Sequence, residues 1–147
     1  MRVRDIMTVH MAFCMPEKTV DEVAGMMVTS DCGAIPVVDP VTRKAVGIVT
    51  DRDIVCRAVA KGLDPATTRA EEIMTMPIVA VRPEDSIEDC IAAMESAQVR
   101  RVPVVDSQGF LCGMLSQADI ARAAAPPDTG HLVHDISRPT DHASQVQ

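Results

Sequence analysis

Tryptophan and tyrosine are absent from the chain, and phenylalanine occurs only as Phe13 and Phe110. A bound ring therefore has no aromatic sandwich to enter and must lie against aliphatic side chains and backbone. An excess of positive charge is also missing. The formal net charge is −7 at pH 7, which disfavours the field needed for nonspecific nucleic-acid binding or for an anionic membrane surface. No apolar run approaches the ~18 residues of a membrane span. The opening MRVRDIMTVHM carries Asp5 and lacks a signal-peptide core, so a cytoplasmic location is expected. The cysteines (Cys14, Cys32, Cys56, Cys90 and Cys112) form no C-x-x-C and are odd in number. Their apolar contexts read as small buried thiols, with a Cys14–Cys32 redox pair as the alternative. There is no P-loop and no nucleophile with a nearby histidine base, so the expectation is a protein that is not an enzyme.

What remains is aliphatic. Apolar residues make up 47% of the 147, and ten of them are methionine, so the core must be built from Val, Ile, Met and Ala. The length suits one domain or two very small ones. Arg100 and Arg101 concentrate positive charge within an acidic chain; they read as a solvated surface pair or as a site for an anion.

The chain is written twice. Residues 47–54 read GIVTDRDI and residues 113–120 read GMLSQADI. A shift of 67 residues also lays Asp5-Ile6-Met7-Thr8 on Glu72-Ile73-Met74-Thr75, and Ile35-Pro36-Val37-Val38-Asp39 on Val102-Pro103-Val104-Val105-Asp106. The shift falls to 66 after the turn Pro40–Lys44, which is one residue longer than its counterpart. A slip confined to a turn is what duplicated structure produces.

Each copy has a readable plan. Thr19 and Ser86 are N-cap candidates, followed three residues on by Glu22 and Asp89. Val20, Val23, Ala24, Met27 and Val28, then Ile87, Cys90, Ile91 and Met94, recur at helical spacing. The runs IPVV and VPVV, a turn, and then AVGIVT and LCGMLS read as hairpins. A second helix follows each, from Asp51 to about Lys61 and from Gln117 to about Ala125. With short strands at Ala12–Met15 and Ile78–Val81, each copy is β-α-β-β-α. The expected fold is α+β: two such repeats about a pseudo-two-fold axis, with small mixed sheets and helices. The expected boundaries are 1–62 for the first repeat, 63–70 for a linker, 71–125 for the second repeat and 126–147 for a polar tail. Such small units lack much core alone, and clefts between them are where ligands concentrate.

This plan, with its h-P-V-V-D run and its G-h-h-[ST]-x-x-D signature before the last helix, resembles a cystathionine-β-synthase (CBS) domain. Two in tandem resemble the paired regulatory unit called a Bateman module. The likeness covers about residues 3–125, and the chain looks like a small stand-alone CBS-pair protein of the bacterial kind.

The resemblance implies a regulatory or sensor module that binds adenosine-containing ligands between the repeats. The candidates are AMP, ADP and ATP, followed by NAD(H) and S-adenosylmethionine; no cofactor is required. It implies that Asp53 and Asp119 accept from the ribose hydroxyls, with Thr50 and Ser116 beside the sugar and phosphate. The adenine would lie against Gly33, Ala34 and Ile35, or against Arg100, Arg101 and Val102, on the partner repeat. Arg100, Arg101 and Arg52 are offered to phosphate. It further implies a homodimer formed through helices and an unidentified protein target.

The chemistry of the residues agrees: a vicinal diol presents two donors, and an ionised carboxylate is acceptor-only with two oxygens. A plainer function competes. T-x-x-D and S-x-x-D before a helix are also capping boxes, which would leave a purely structural dimerisation or interaction module with no bound nucleotide. His131, His134, Asp135 and His142 lie in a segment rich in Pro, Ser, Thr and Asp. They read as a mobile tail with one helical turn near His131–Ile136 rather than as a metal site.

Overall fold

The computed structural model describes residues 1–123. The expected tail, with His131, His134 and His142, lies outside the described residues. The elements are α1 (Val3–Ile6), α2 (Val20–Ser30), β1 (Ala34–Val38), β2 (Ala45–Thr50), α3 (Asp51–Asp53), α4 (Ala70–Ile73), α5 (Ile87–Ala97), β3 (Arg101–Val105), β4 (Leu111–Ser116) and α6 (Gln117–Ala123). Helix α3 continues as a π-helical segment, Ile54–Val59. The architecture is α+β, with two separate two-stranded sheets, β1-β2 and β3-β4.

The chain forms two compact units that interleave along the sequence. One combines Met1–Val9 and Val79–Asp106 with the described residues from Cys112; the other combines His10–Ile78 with Ser107–Leu111. The short helix at the head of each repeat therefore serves the other repeat's unit. In α1, Val3 N–H donates to Asp85 O and Arg4 N–H to Pro83 O, both at 2.9 Å. In α4, Ala70 N–H donates to Lys18 O at 2.7 Å and Glu71 N–H to Pro16 O at 3.1 Å. The two helices are capped alike: Asp5 accepts from Arg2 N–H at 2.8 Å, and Glu72 from Arg69 N–H at 2.7 Å.

The cores follow the apolar spacing. Val20, Val23 and Met27 of α2 pack with Ile35, Val37, Val49 and Ile73. Ile87, Cys90, Ile91 and Met94 of α5 pack with Val3, Val102, Val104, Leu115 and Ile120. Both long helices stop on a left-handed residue, Asp31 (φ 49°) and Gln98 (φ 56°), which releases the chain into the following strand. Gly62, at φ 71°, follows the π-helical segment where the sequence predicts a stop.

Three local expectations change. The strands proposed at Ala12–Met15 and Ile78–Val81 reduce to single parallel bridges, Cys14 to Val37 and Val81 to Val104. The Thr19 side chain accepts no capping bond; its hydroxyl turns to the carboxylates of Asp21 and Glu22. That hydroxyl, with Lys18 beside it, holds the Glu22 carboxyl below its ordinary range. The second helix of the first repeat is largely π-helical rather than a continuous α-helix. The cysteines are all free. Burial pushes the Cys14 thiol up to about 11 and the Cys90 thiol to about 12, so both are neutral core residues at physiological pH.

Candidate functional site

Each signature lies where the second strand of a hairpin breaks into a helix. In the first repeat β1 and β2 pair antiparallel, with Ala34 opposite Thr50. The β-branched residues of AVGIVT favour the extended strand, and Thr50 at its end is the N-cap of α3, at φ −103° and ψ 162°. Thr50 Oγ1 accepts from Asp53 N–H at 3.0 Å, and Asp53 Oδ2 accepts from Thr50 N–H at 2.9 Å. The second repeat repeats this geometry. Ser116 Oγ accepts from Asp119 N–H at 3.1 Å, and Asp119 Oδ2 from Ser116 N–H at 2.9 Å. Both signatures are therefore reciprocal capping boxes.

Capping engages one carboxylate oxygen in each box and leaves Oδ1 to other partners. Asp53 is 7% exposed, and Thr75 Oγ1 donates to its Oδ1 at 3.1 Å and lies 3.2 Å from its Oδ2. Arg57 Nε stands 3.7 Å from the same Oδ1, while its guanidinium donates to Met74 O at 3.1 Å. In the second repeat, Asp119 Oδ1 meets the guanidinium of Arg122, whose side chain is 71% exposed. Both carboxylates are largely covered, with side chains 10% and 12% exposed; they differ in their partners, a buried network at Asp53 and a single exposed arginine at Asp119.

The remaining candidates fall beside the turn of their own repeat. Asp51 N–H donates to Gly33 O at 2.9 Å, and Gln117 N–H donates to Arg100 O at 2.8 Å. This places Gly33 and Ala34 next to Thr50–Asp53, and Arg100 and Arg101 next to Ser116–Asp119. Arg52 and Arg100 are exposed, and Arg101 is half-buried. Ile35 and Val102 are wholly buried and belong to the two cores, so neither offers its side chain to a ligand in this conformation.

Thr75, Arg57 and Arg122 were missed in the sequence. For Thr75 the signal was present: Ile-Met-Thr is written at 6–8 and again at 73–75. Thr75 exchanges two backbone hydrogen bonds with Ile48, as Thr8 does with Met114. The two arginines had no such signal, because Arg57 acts from four residues past its aspartate and Arg122 from three.

A surface groove of about 410 Å³ along α2, lined by Lys18, Glu22, Gly25, Met26 and Thr29 among others, includes none of these residues. Among the described residues no three His, Cys, Asp or Glu side chains gather as a metal-binding set. No helix among them is long and apolar enough to cross a membrane.

A family model for the CBS domain matches the chain twice, over residues 3–59 and 70–126. The CBS domain-containing protein YhcV of Bacillus subtilis is 40% identical over 141 residues, which cover 95% of this chain and 98% of that protein. Hypoxic response protein 1 of Mycobacterium tuberculosis is 40% identical over 119 residues, covering 81% of this chain and 82% of its own.

Similar solved structures include three that bear on the site. Hypoxic Response Protein I with two coordinated zinc ions has a TM-score of 0.78 at 38% identity, covering 85% of this chain and all of that one. The CBS domain pair of MJ0100 in complex with 5′-methylthioadenosine and S-adenosyl-L-methionine has a TM-score of 0.74 at 26% identity, covering 83% and 94%. CBSX2 in complex with AMP has a TM-score of 0.69 at 28% identity, also covering 83% and 94%.

Proposed function

The chain belongs to the CBS-domain family, carrying the domain twice, and from that premise we propose that it is a regulatory module whose signature turns bind adenosine-containing ligands. The observation that carries this reading is the division of labour within each aspartate. The cap needs one oxygen, and the other is turned toward polar partners that a ribose hydroxyl can replace. Two similar CBS proteins hold AMP, or 5′-methylthioadenosine and S-adenosylmethionine, which supports adenosine as the shared chemistry. The module works without catalysis and without a resident cofactor, in the cytoplasm, and passes its ligand state to a protein target.

The test is a binding panel of AMP, ADP, ATP, NADH and S-adenosylmethionine on the purified chain. Without tryptophan or tyrosine, the readout is calorimetry or a dye-reported melting temperature. At least one adenosine compound is expected to raise the melting temperature in a concentration-dependent way, as any ligand specific to the native state must. A flat response across the panel would favour the second reading, a structural interaction module whose signatures only cap helices. The reciprocal boxes are the observation behind that alternative.

The reading includes a homodimer. Val55 and Val59, one helical turn apart, remain 58% and 64% exposed and supply part of an apolar seam. Light scattering at high micromolar concentration is expected to show about twice the 15.8 kDa chain mass; a strict monomer removes the dimer from the proposal.

A further inference from the structure

The two signature turns are nearly superimposable in their backbone bonds but opposite in the charge placed beside them. The N–H after Thr50 and the N–H after Ser116 make the same hydrogen bond, to Gly33 O and to Arg100 O. Around that shared bond the first repeat places Gly33, Ala34 and Asp51, and the second places Arg100, Arg101 and Gln117.

Asp51 is held over the glycine. A Cβ built on Gly33 would stand 2.7 Å from Asp51 Oδ2 and 3.2 Å from its carboxyl carbon. No residue with a side chain fits at Gly33 while Asp51 keeps that position. The Asp51 carboxylate is itself steadied there, since its Oδ1 accepts from Arg52 N–H at 2.8 Å. The first turn thus presents Asp51 and Asp53 against Arg52, with Arg57 committed to Asp53 and to backbone carbonyls. The second presents Arg100 and Arg101, with Arg122 committed to Asp119.

We infer that the two turns sort adenosine ligands by phosphate: the Arg100–Gln117–Asp119 turn takes a phosphorylated adenosine, and the Gly33–Asp51–Asp53 turn takes an adenosine without phosphate, neutral or cationic at its 5′ end. This rests on the adenosine reading above and adds a ligand class to each half of it. A phosphate brought to the second turn meets exposed Arg100 and half-buried Arg101, whose guanidinium groups can pair with its oxygens. At the first turn it meets the Asp51 carboxylate held over Gly33, and like charges at contact distance repel. A thioether or sulfonium substituent meets no such opposition. Arg52, offered to phosphate by the family resemblance, is exposed and holds Asp51 through its backbone N–H.

Calorimetry on the full chain tests the inference with 5′-methylthioadenosine, AMP and ATP as probes. The variants are Asp51→Gln, which copies the residue of the second repeat, and Arg100→Ala combined with Arg101→Ala. Wild type is expected to bind methylthioadenosine and AMP together, without competition. Asp51→Gln is expected to open a second AMP site, or to strengthen a weak one by about tenfold, the order of one removed charge contact. The arginine double variant is expected to lose AMP and ATP affinity by at least tenfold and keep methylthioadenosine within twofold. Competition between AMP and methylthioadenosine in wild type, or AMP binding unmoved within twofold by Asp51→Gln, overturns the sorting and leaves the adenosine reading intact. If no probe binds wild type, the adenosine reading itself falls, and the sorting falls with it. Melting curves of both variants separate loss of binding from loss of fold.

Discussion

Gly113→Ala is expected to lower stability by about 2–4 kcal/mol, the sum of overpacking and strained hydrogen bonds. The reason lies in what crosses the signature glycine. A Cβ on Gly113 would stand 2.9 Å from Thr8 O and 2.9 Å from Met7 Sδ. The methionine can yield, but the carbonyl cannot retreat cheaply. Thr8 N–H donates to Met114 O at 2.8 Å and Met114 N–H returns a bond to Thr8 O at 2.9 Å, so moving Thr8 breaks a closed pair.

Gly47→Ala should cost less. Its Cβ would lie 2.7 Å from Met74 Sδ, yet 3.1 Å from Thr75 O, and a few tenths of an ångström relieve the second contact. Thermal unfolding followed by far-UV circular dichroism is the measurement. For a chain of this size, 2–4 kcal/mol corresponds to roughly 5–15 °C in melting temperature. Met74→Ala should partly rescue Gly47→Ala, whereas Met7→Ala should not rescue Gly113→Ala. A Gly113→Ala melting temperature within 2 °C of wild type would refute the close-approach account.

That result bears on what a sequence can disclose. The glycine of G-h-h-[ST] permits close backbone approach; in the structure what approaches is Met7-Thr8 at Gly113 and Met74-Thr75 at Gly47. The doubled Ile-Met-Thr was visible as part of the repeat, but nothing local says that each copy docks on the far repeat's unit. Such pairings are set by packing across the whole chain, and propensity carries no information about them. By contrast, the helices at Val20–Ser30 and Ile87–Ala97 and the two hairpins were legible, because their apolar periodicity and turn residues are local quantities. The π-helical turn at Ile54–Val59 was not, since α- and π-windings of IVCRAV share one composition. The candidate site was half legible. Its aspartates and hydroxyls were written in the motif, while the Arg57 and Arg122 partners depended on helix geometry beyond it.

Asp119→Asn is expected to fold like wild type and to lose ten- to a hundredfold in affinity for the adenosine ligand proposed above. Asp119 Oδ2 accepts only a backbone N–H in the cap, and an asparagine carbonyl oxygen serves that bond as well. The lost Arg122 contact joins a carboxylate 12% exposed to an arginine 71% exposed, and with one partner still hydrated it contributes only modestly to stability. What asparagine cannot do is accept at both oxygens. A ribose hydroxyl that needs Oδ1 then meets an NH₂ donor, and a charged hydrogen bond worth about 1.5–3 kcal/mol disappears from the complex, which is the stated fold-change.

Asp53→Asn separates the two roles differently. Its carboxylate is 7% exposed and engages Thr75 and Arg57 as well as the cap, so this variant should also lose stability, by ~1–3 kcal/mol for a charged bond weakened in a buried setting. A stable Asp119→Asn that no longer binds, beside a less stable Asp53→Asn, assigns ligand work to Asp119 and shared work to Asp53. If both variants bind as wild type does, each aspartate is a cap and nothing more. The doubled signature would then record two helix starts in a module that acts through its surfaces.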